Sequence, residues 1–166
     1  YLGKAMLEKG DFRYIVGNPP YVPIEGLSEE EKDRYKSTFR TAVGRFDLYI
    51  LFFERSLRLL APDGKLSLVT PEKYEYVDTA EPLRRLLTMD VIQVESIEHI
   101  PEDAFTGLIT FPCISTIRRY EDGVDEETRI KLRDGSGHTT KLPADGRSWA
   151  SSIRDAKLEN MITGAT

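Results

Sequence analysis

Phe12-Arg13-Tyr14-Ile15-Val16-Gly17-Asn18-Pro19-Pro20-Tyr21 is the stretch on which the reading of this sequence turns. Five residues rich in aromatic and β-branched side chains predict a strand. Two consecutive prolines then remove ladder donors and lock the backbone, so the strand ends in a rigid turn at its carboxyl edge. At equal residue frequencies Asn-Pro-Pro-Tyr arises by chance in roughly one chain of this size per thousand. A bare strand-ending turn capped by a stacked tyrosine is the plain reading; the strand directly in front favours a functional one.

Downstream, Ser28 and Glu31 stand at capping-box spacing and predict a short helix. Between residues 32 and 45, Lys32, Arg34, Lys36, Arg40 and Arg45 face only Asp33, the one basic patch in an acidic chain. It reads either as a local contact for a phosphate backbone or as a solvated helix face. Asp47 is the expected N-cap of a strongly apolar helix that ends at Ala61-Pro62-Asp63-Gly64. Strands follow at Lys65 to Thr70, Val91 to Glu98 and Thr110 to Arg119. Between the first two lies a helix from Asp78 to Thr88, with Asp78 and Glu81 at capping-box spacing. This succession predicts an α/β fold, a parallel sheet finishing in an antiparallel pair. After Tyr120 an acidic hinge leads to a small exposed hairpin, Thr128 to Arg133 and His138 to Leu142 around Asp134-Gly135-Ser136-Gly137, and a last helix is expected over 148–162.

Of 166 residues, 40% are apolar and 31% charged, which suits one globular domain with a real core. The longest apolar run, Leu48 to Phe53, is six residues, too short for a membrane span. One cysteine, Cys113, and two isolated histidines, His99 and His138, predict neither a disulfide nor a metal cluster, and the histidines read as structural or surface residues. A reducing cytoplasm is the expected compartment. The net charge of −5 argues against strong autonomous nucleic-acid binding, so any such contact is local. The chain opens at Tyr1 inside a helix-like pattern (Leu2, Ala5, Met6), which reads as a piece of a longer protein.

The Asn18-Pro19-Pro20-Tyr21 turn resembles motif IV of the gamma-class DNA adenine-N6 methyltransferases of Type I and Type IIG restriction-modification systems, which use S-adenosylmethionine. The similarity continues through Phe46-Asp47-Leu48-Tyr49, the strand Lys65 to Thr70 with Pro71 and Lys73 after it, and Asp103-Ala104-Phe105 ahead of Cys113-Ile114-Ser115-Thr116-Ile117. It covers residues 11–119. It implies a partial Rossmann-like methyltransferase sheet, strands four to seven with an antiparallel final strand, followed by a hairpin tail. Residues 1–119 would be the second half of the catalytic domain and 120–166 an extension toward a target-recognition domain. The glycine-rich loop and acidic residue of the family's cofactor half have no counterpart here; Asp134-Gly135-Ser136-Gly137 lacks the strand and helix such a loop needs.

The resemblance implies roles that the chemistry explains. Adenine's exocyclic amine is a poor nucleophile until its lone pair is drawn out of the ring, and two fixed acceptors, the Asn18 side-chain oxygen and the Pro19 carbonyl, do this. Pro20 stiffens the turn, and Tyr21 stacks on a base flipped from the duplex. Phe105 is the expected second face, against an ordinary core role or a displaced assignment to Phe111. Lys73 is expected at phosphate or target base, or as a solvated loop lysine, and Asn18, Pro19 and Asp47 are expected on the cofactor side. The implied partners are double-stranded DNA, a cofactor-binding half and a target-recognition domain. Alternatives are a protein-glutamine or RNA amino-methyltransferase, or a non-catalytic DNA-binding or assembly module. By itself the chain is expected neither to methylate DNA nor to hold S-adenosylmethionine tightly. Strand Phe12 to Val16 is expected to be a sheet edge that self-associates into a homo-oligomer, or is covered by the N-terminal residues or the 120–166 tail.

Overall fold

The structure, a computed structural model, describes residues 10–101 and 111–154. Six strands form one open sheet: β1 (Phe12–Gly17), β2 (Leu60–Pro71), β3 (Ile92–His99), β4 (Pro112–Arg119), β5 (Thr128–Lys131) and β6 (Gly137–Thr140). Their spatial order is β1-β2-β4-β3-β5-β6. Strand β1 runs parallel to β2, with Tyr14 opposite Lys65 and Gly17 opposite Leu68. The antiparallel pair is present, and β4 lies between β2 and β3, antiparallel to both.

Helix α2 (Leu48–Leu59) covers the sheet because Tyr49, Phe53 and Leu57, spaced four apart, are all fully buried on one stripe. Helix α3 (Glu81–Leu87) follows β2 through two short 3-10 turns, Glu72–Glu75 and Asp78–Ala80. The capping box expected of Asp78 and Glu81 does not form: no side chain caps this helix, and Glu81 pairs with Arg85 one turn on. Pro82 at the helix start tolerates the missing cap because it has no N–H to satisfy. In contrast, helix α1 (Glu29–Thr38) begins with the expected reciprocal box between Ser28 and Glu31.

The expected hairpin forms, β5 pairing antiparallel with β6 from Thr128 opposite Thr140 to Lys131 opposite Gly137, but it does not stand free. Strand β5 extends the sheet parallel to β3, with Ile97 opposite Ile130, and Thr128 and Ile130 turn inward. At the tip, Gly135 adopts a φ of +83° and Ser136 N–H donates to Asp134 Oδ1 at 3.0 Å, so Asp134 to Gly137 is a turn and not a phosphate loop. Beyond it, the 150–154 segment is helical and buries Trp149 against Tyr74, at ring centroids 6.0 Å apart. The rest of the expected last helix lies outside the described residues.

At the opposite edge, Phe12, Tyr14 and Val16 are 56%, 77% and 80% exposed, and among the described residues nothing pairs with the outer side of β1. The described part of the 120–166 tail cannot cover it, since β5 and β6 occupy the far edge. The N-terminal residues 1–9, with Leu2, Ala5 and Met6, lie outside the described residues. Among the described residues no helix is long and apolar enough to cross a membrane, and no group of His, Cys, Asp and Glu is arranged to hold a metal.

Candidate active site

The turn Asn18 to Tyr21 leaves the carboxyl end of β1, with Pro19 buried, Asn18 and Pro20 exposed, and Tyr21 half-buried. Tyr21 Oη lies 3.0 Å from Asn18 Oδ1 and 3.2 Å from the carbonyl oxygen of Val69 on β2. Its ring meets Tyr49 of α2 edge-on, at 6.2 Å between centroids and 79° between planes. The turn is therefore tied at once to the neighbouring strand and to the helix beneath. Burial raises the Tyr21 phenol above its ordinary pKa, helped by Cys113, so it keeps its proton through the neutral range.

From Tyr21 the chain loops out through α1 and returns at Asp47. Leu48 N–H donates to the Val22 carbonyl at 2.8 Å, Ile24 N–H to that of Phe46 at 3.0 Å, and Pro23 bridges to Asp47. Asp47 occupies the N-cap position of α2, but its side chain caps nothing. Its carboxylate instead holds Lys73 Nζ at 2.5 Å. This corrects the expectation of a side-chain cap, and the reason is competition: an ammonium group within reach outbids a neutral amide for a carboxylate. Asp47 and Lys73 face a cavity of about 260 Å³ that Pro23, Arg45 and Thr79 also line. Lys73 is accordingly neither a free loop lysine nor an unpaired charge.

The basic patch is largely matched within the loop. Lys32 pairs with Glu29 and Arg45 with Glu25, while Arg34 lies over the Tyr35 ring. No residue of α1 is buried. Holding this loop to α2 is Glu54, a fully buried carboxylate that sequence reading passed over. It accepts from the Arg40 and Thr41 backbone amides at 3.1 and 2.8 Å, from Thr41 Oγ1 at 2.7 Å, and from Arg58. The available signal was an acid on the apolar face of a helix, which must find several donors to be tolerated.

A second polar cluster lies under the carboxyl ends of β2 and β3. His99 is 4% exposed; its Nε2 sits 3.1 Å from both Glu75 carboxylate oxygens and its Nδ1 3.2 Å from the Lys131 carbonyl. Glu72 and its partner Arg133 complete the cluster, and Arg133 also stacks over Phe111 at 4.7 Å. His99 is thus a buried, paired residue and not a surface one. Phe105 lies outside the described residues.

Burial works against the His99 imidazolium, but the hydrogen bond and charges of Glu75, with Glu72 behind it, raise its pKa above 6.5. Burial likewise raises the Glu75 pKa, against the pull of His99. The raised His99 value contributes stability that is complete below its unfolded pKa and lost as pH climbs through the folded one, whereas the cost of ionising buried Glu75 sets in from the ordinary carboxylate range upward. The cluster is therefore expected to lower the melting temperature as pH rises from about 6.5 upward. Thermal unfolding between pH 6 and 9 should show this fall, and the double variant Glu75→Gln/His99→Gln should lack that part of it. An identical pH slope in the variant would assign the pair no such role.

With one end of the sheet organised around a strand-ending Asn-Pro-Pro-Tyr turn, the class of protein can be stated. The structure shares its fold with a Listeria monocytogenes protein described as a class I S-adenosylmethionine-dependent methyltransferase, at a TM-score of 0.60 and 14% identity over 93% of this chain and 43% of that one. It also matches the type IIG restriction endonuclease BpuSI, at a TM-score of 0.56 and 20% identity over 85% of this chain and 16% of that one. More particularly, the chain belongs to the Eco57I restriction-modification methylase family, whose family model matches residues 2–105. It is 32% identical over 128 residues to the Type II methyltransferase M.XhoI of Xanthomonas vasicola, covering 71% of this chain and 23% of that protein. It is 33% identical over 106 residues to the Type II restriction enzyme and methyltransferase RM.Eco57I of Escherichia coli, covering 62% and 11%. The chain thus spans about a quarter or less of the length of these relatives.

Proposed function

We propose that this chain is the base-facing half of a DNA adenine-N6 methyltransferase. The observation that carries the reading is the Asn18 to Tyr21 turn, braced by the Tyr21 hydroxyl between Asn18 Oδ1 and the Val69 carbonyl. Asn18 Oδ1 and the Pro19 carbonyl accept the two hydrogens of a flipped adenine's amine, drawing its nitrogen toward tetrahedral geometry and aiming the lone pair out of the ring plane. The rigid prolines keep the two acceptors from relaxing away when the base enters. Tyr21 and Phe105 offer aromatic surface to the extruded base. Lys73, steered by Asp47, meets the target strand from the cavity beside the turn.

S-adenosylmethionine, when bound, supplies the methyl group. Asn18 and Pro20 are exposed at the end of an unpaired edge strand, which fits one wall of such a site, with Asn18, Pro19 and Asp47 on that side. The remaining walls belong to a cofactor-binding half, which pairs along the exposed β1 edge; without it, that edge is where two copies associate. Residues 120–166 lead from the catalytic half (1–119) toward a target-recognition domain, and the cytoplasm is where such a protein works. DNA is favoured over a protein glutamine or RNA because the family is one of restriction-modification methylases and RM.Eco57I is both a restriction enzyme and a methyltransferase.

Nucleoside analysis of duplex DNA treated with the complete protein and a labelled donor tests the reading. N6-methyladenine is the expected product. Label in cytosine, in RNA or in protein glutamine would overturn it, as would DNA binding with no transfer at all.

A further inference from the structure

Tyr21 offers the site more than a ring. Two φ-locked residues, Pro19 and Pro20, lie between it and Asn18 and narrow the conformations of the backbone that joins the two side chains. The amide of an exposed asparagine rotates broadly about its last torsion. Left alone, Asn18 would present nitrogen or oxygen to the site indifferently. Here Oδ1 lies 3.0 Å from a hydroxyl that is itself anchored in two ways, by the Val69 carbonyl at 3.2 Å and by the edge-on contact of its ring with the fully buried Tyr49.

One hydroxyl proton serves two acceptors. An amide oxygen has two lone pairs, so Asn18 Oδ1 can accept from Tyr21 and still accept a second donor. The Val69 carbonyl offers the phenol proton an alternative when that second donor arrives. We infer that the Tyr21 hydroxyl is a positioning group for Asn18, keeping the amide oxygen turned toward the site before the substrate amine enters. A purely stacking tyrosine would have no use for the oxygen. This inference rests on the adenine reading above, in which Asn18 is the acceptor.

The test is Tyr21→Phe in the complete protein, which keeps the ring and removes one oxygen. Single-turnover methylation of a duplex is expected to slow roughly three- to tenfold, the worth of one hydrogen bond. Duplex affinity should stay within about twofold, and the fluorescence of 2-aminopurine at the target position should be unchanged, because stacking persists. In an Asn18→Ala background, Tyr21→Phe should have almost no further effect, since the group it positions is gone. A wild-type rate for Tyr21→Phe would overturn the positioning role, and so would a loss that is fully additive with Asn18→Ala. Loss of the fluorescence signal in Tyr21→Phe would also overturn it, by assigning the hydroxyl to base extrusion. Near-normal turnover of Asn18→Ala alone would instead overturn the adenine reading, and the positioning role with it.

Discussion

In the complete protein, Asn18→Ala is expected to reduce adenine methylation by about 10²–10³-fold, the usual consequence of deleting one preorganised hydrogen-bonding group at a reacting centre. Asn18 is exposed and contributes little to the core, so the melting temperature should hardly move. The loss should fall on the rate of transfer more than on duplex affinity, because the acceptor matters most when the amine nitrogen becomes tetrahedral. Single-turnover kinetics with a labelled donor separate the two. A loss confined to affinity would make Asn18 a simple binding contact.

The largest expected effect on stability belongs to Trp149→Ala, at about 3–5 kcal/mol. Trp149 is fully buried; its Nε1 donates to the Pro143 carbonyl at 3.2 Å and its backbone N–H to the Glu75 carbonyl at 2.7 Å. Its ring packs edge-on against Tyr74, which packs against Phe53 of α2. Arg84 reinforces the same junction, donating to the carbonyls of Tyr74, Val77, Gly146 and Arg147. Residues 143–153 thereby grip the 72–77 turn from behind, while Asp47 holds Lys73 from in front. Urea unfolding should show the destabilisation as a shifted midpoint. A cost below about 1 kcal/mol would mean that this segment docks without its anchor.

Local chemistry carried much of the fold in the sequence itself. The proline pair ended β1 where expected, Ser28 capped α1, and the apolar stripe of α2 turned inward, because each depends on residues a few positions apart. Strand order was less accessible. An antiparallel pair was legible, but the insertion of β4 between β2 and β3, and the addition of β5 beside β3, are set by contacts between residues far apart in sequence. Polar side chains with competing partners were the least legible. Asp47 had the residue type and position of a cap and found an ammonium group instead. The sequence signals Glu54 only as an acid on an apolar helix face, and its donors, like the Glu75–His99 pairing, became visible only once folding brought distant residues together. In the candidate site, the turn stood out because its four residues are contiguous, whereas the Tyr21 link to Val69 crosses 48 positions.

The central claim is that the Asn18 to Tyr21 turn receives the amine of an extruded adenine. Its most direct test is a crystal structure of the complete protein with target duplex and an unreactive donor analogue. The flipped adenine N6 should lie about 2.7–3.2 Å from both Asn18 Oδ1 and the Pro19 carbonyl oxygen. An extruded base whose amine is bonded elsewhere, with Asn18 pointing away from it, would contradict the account.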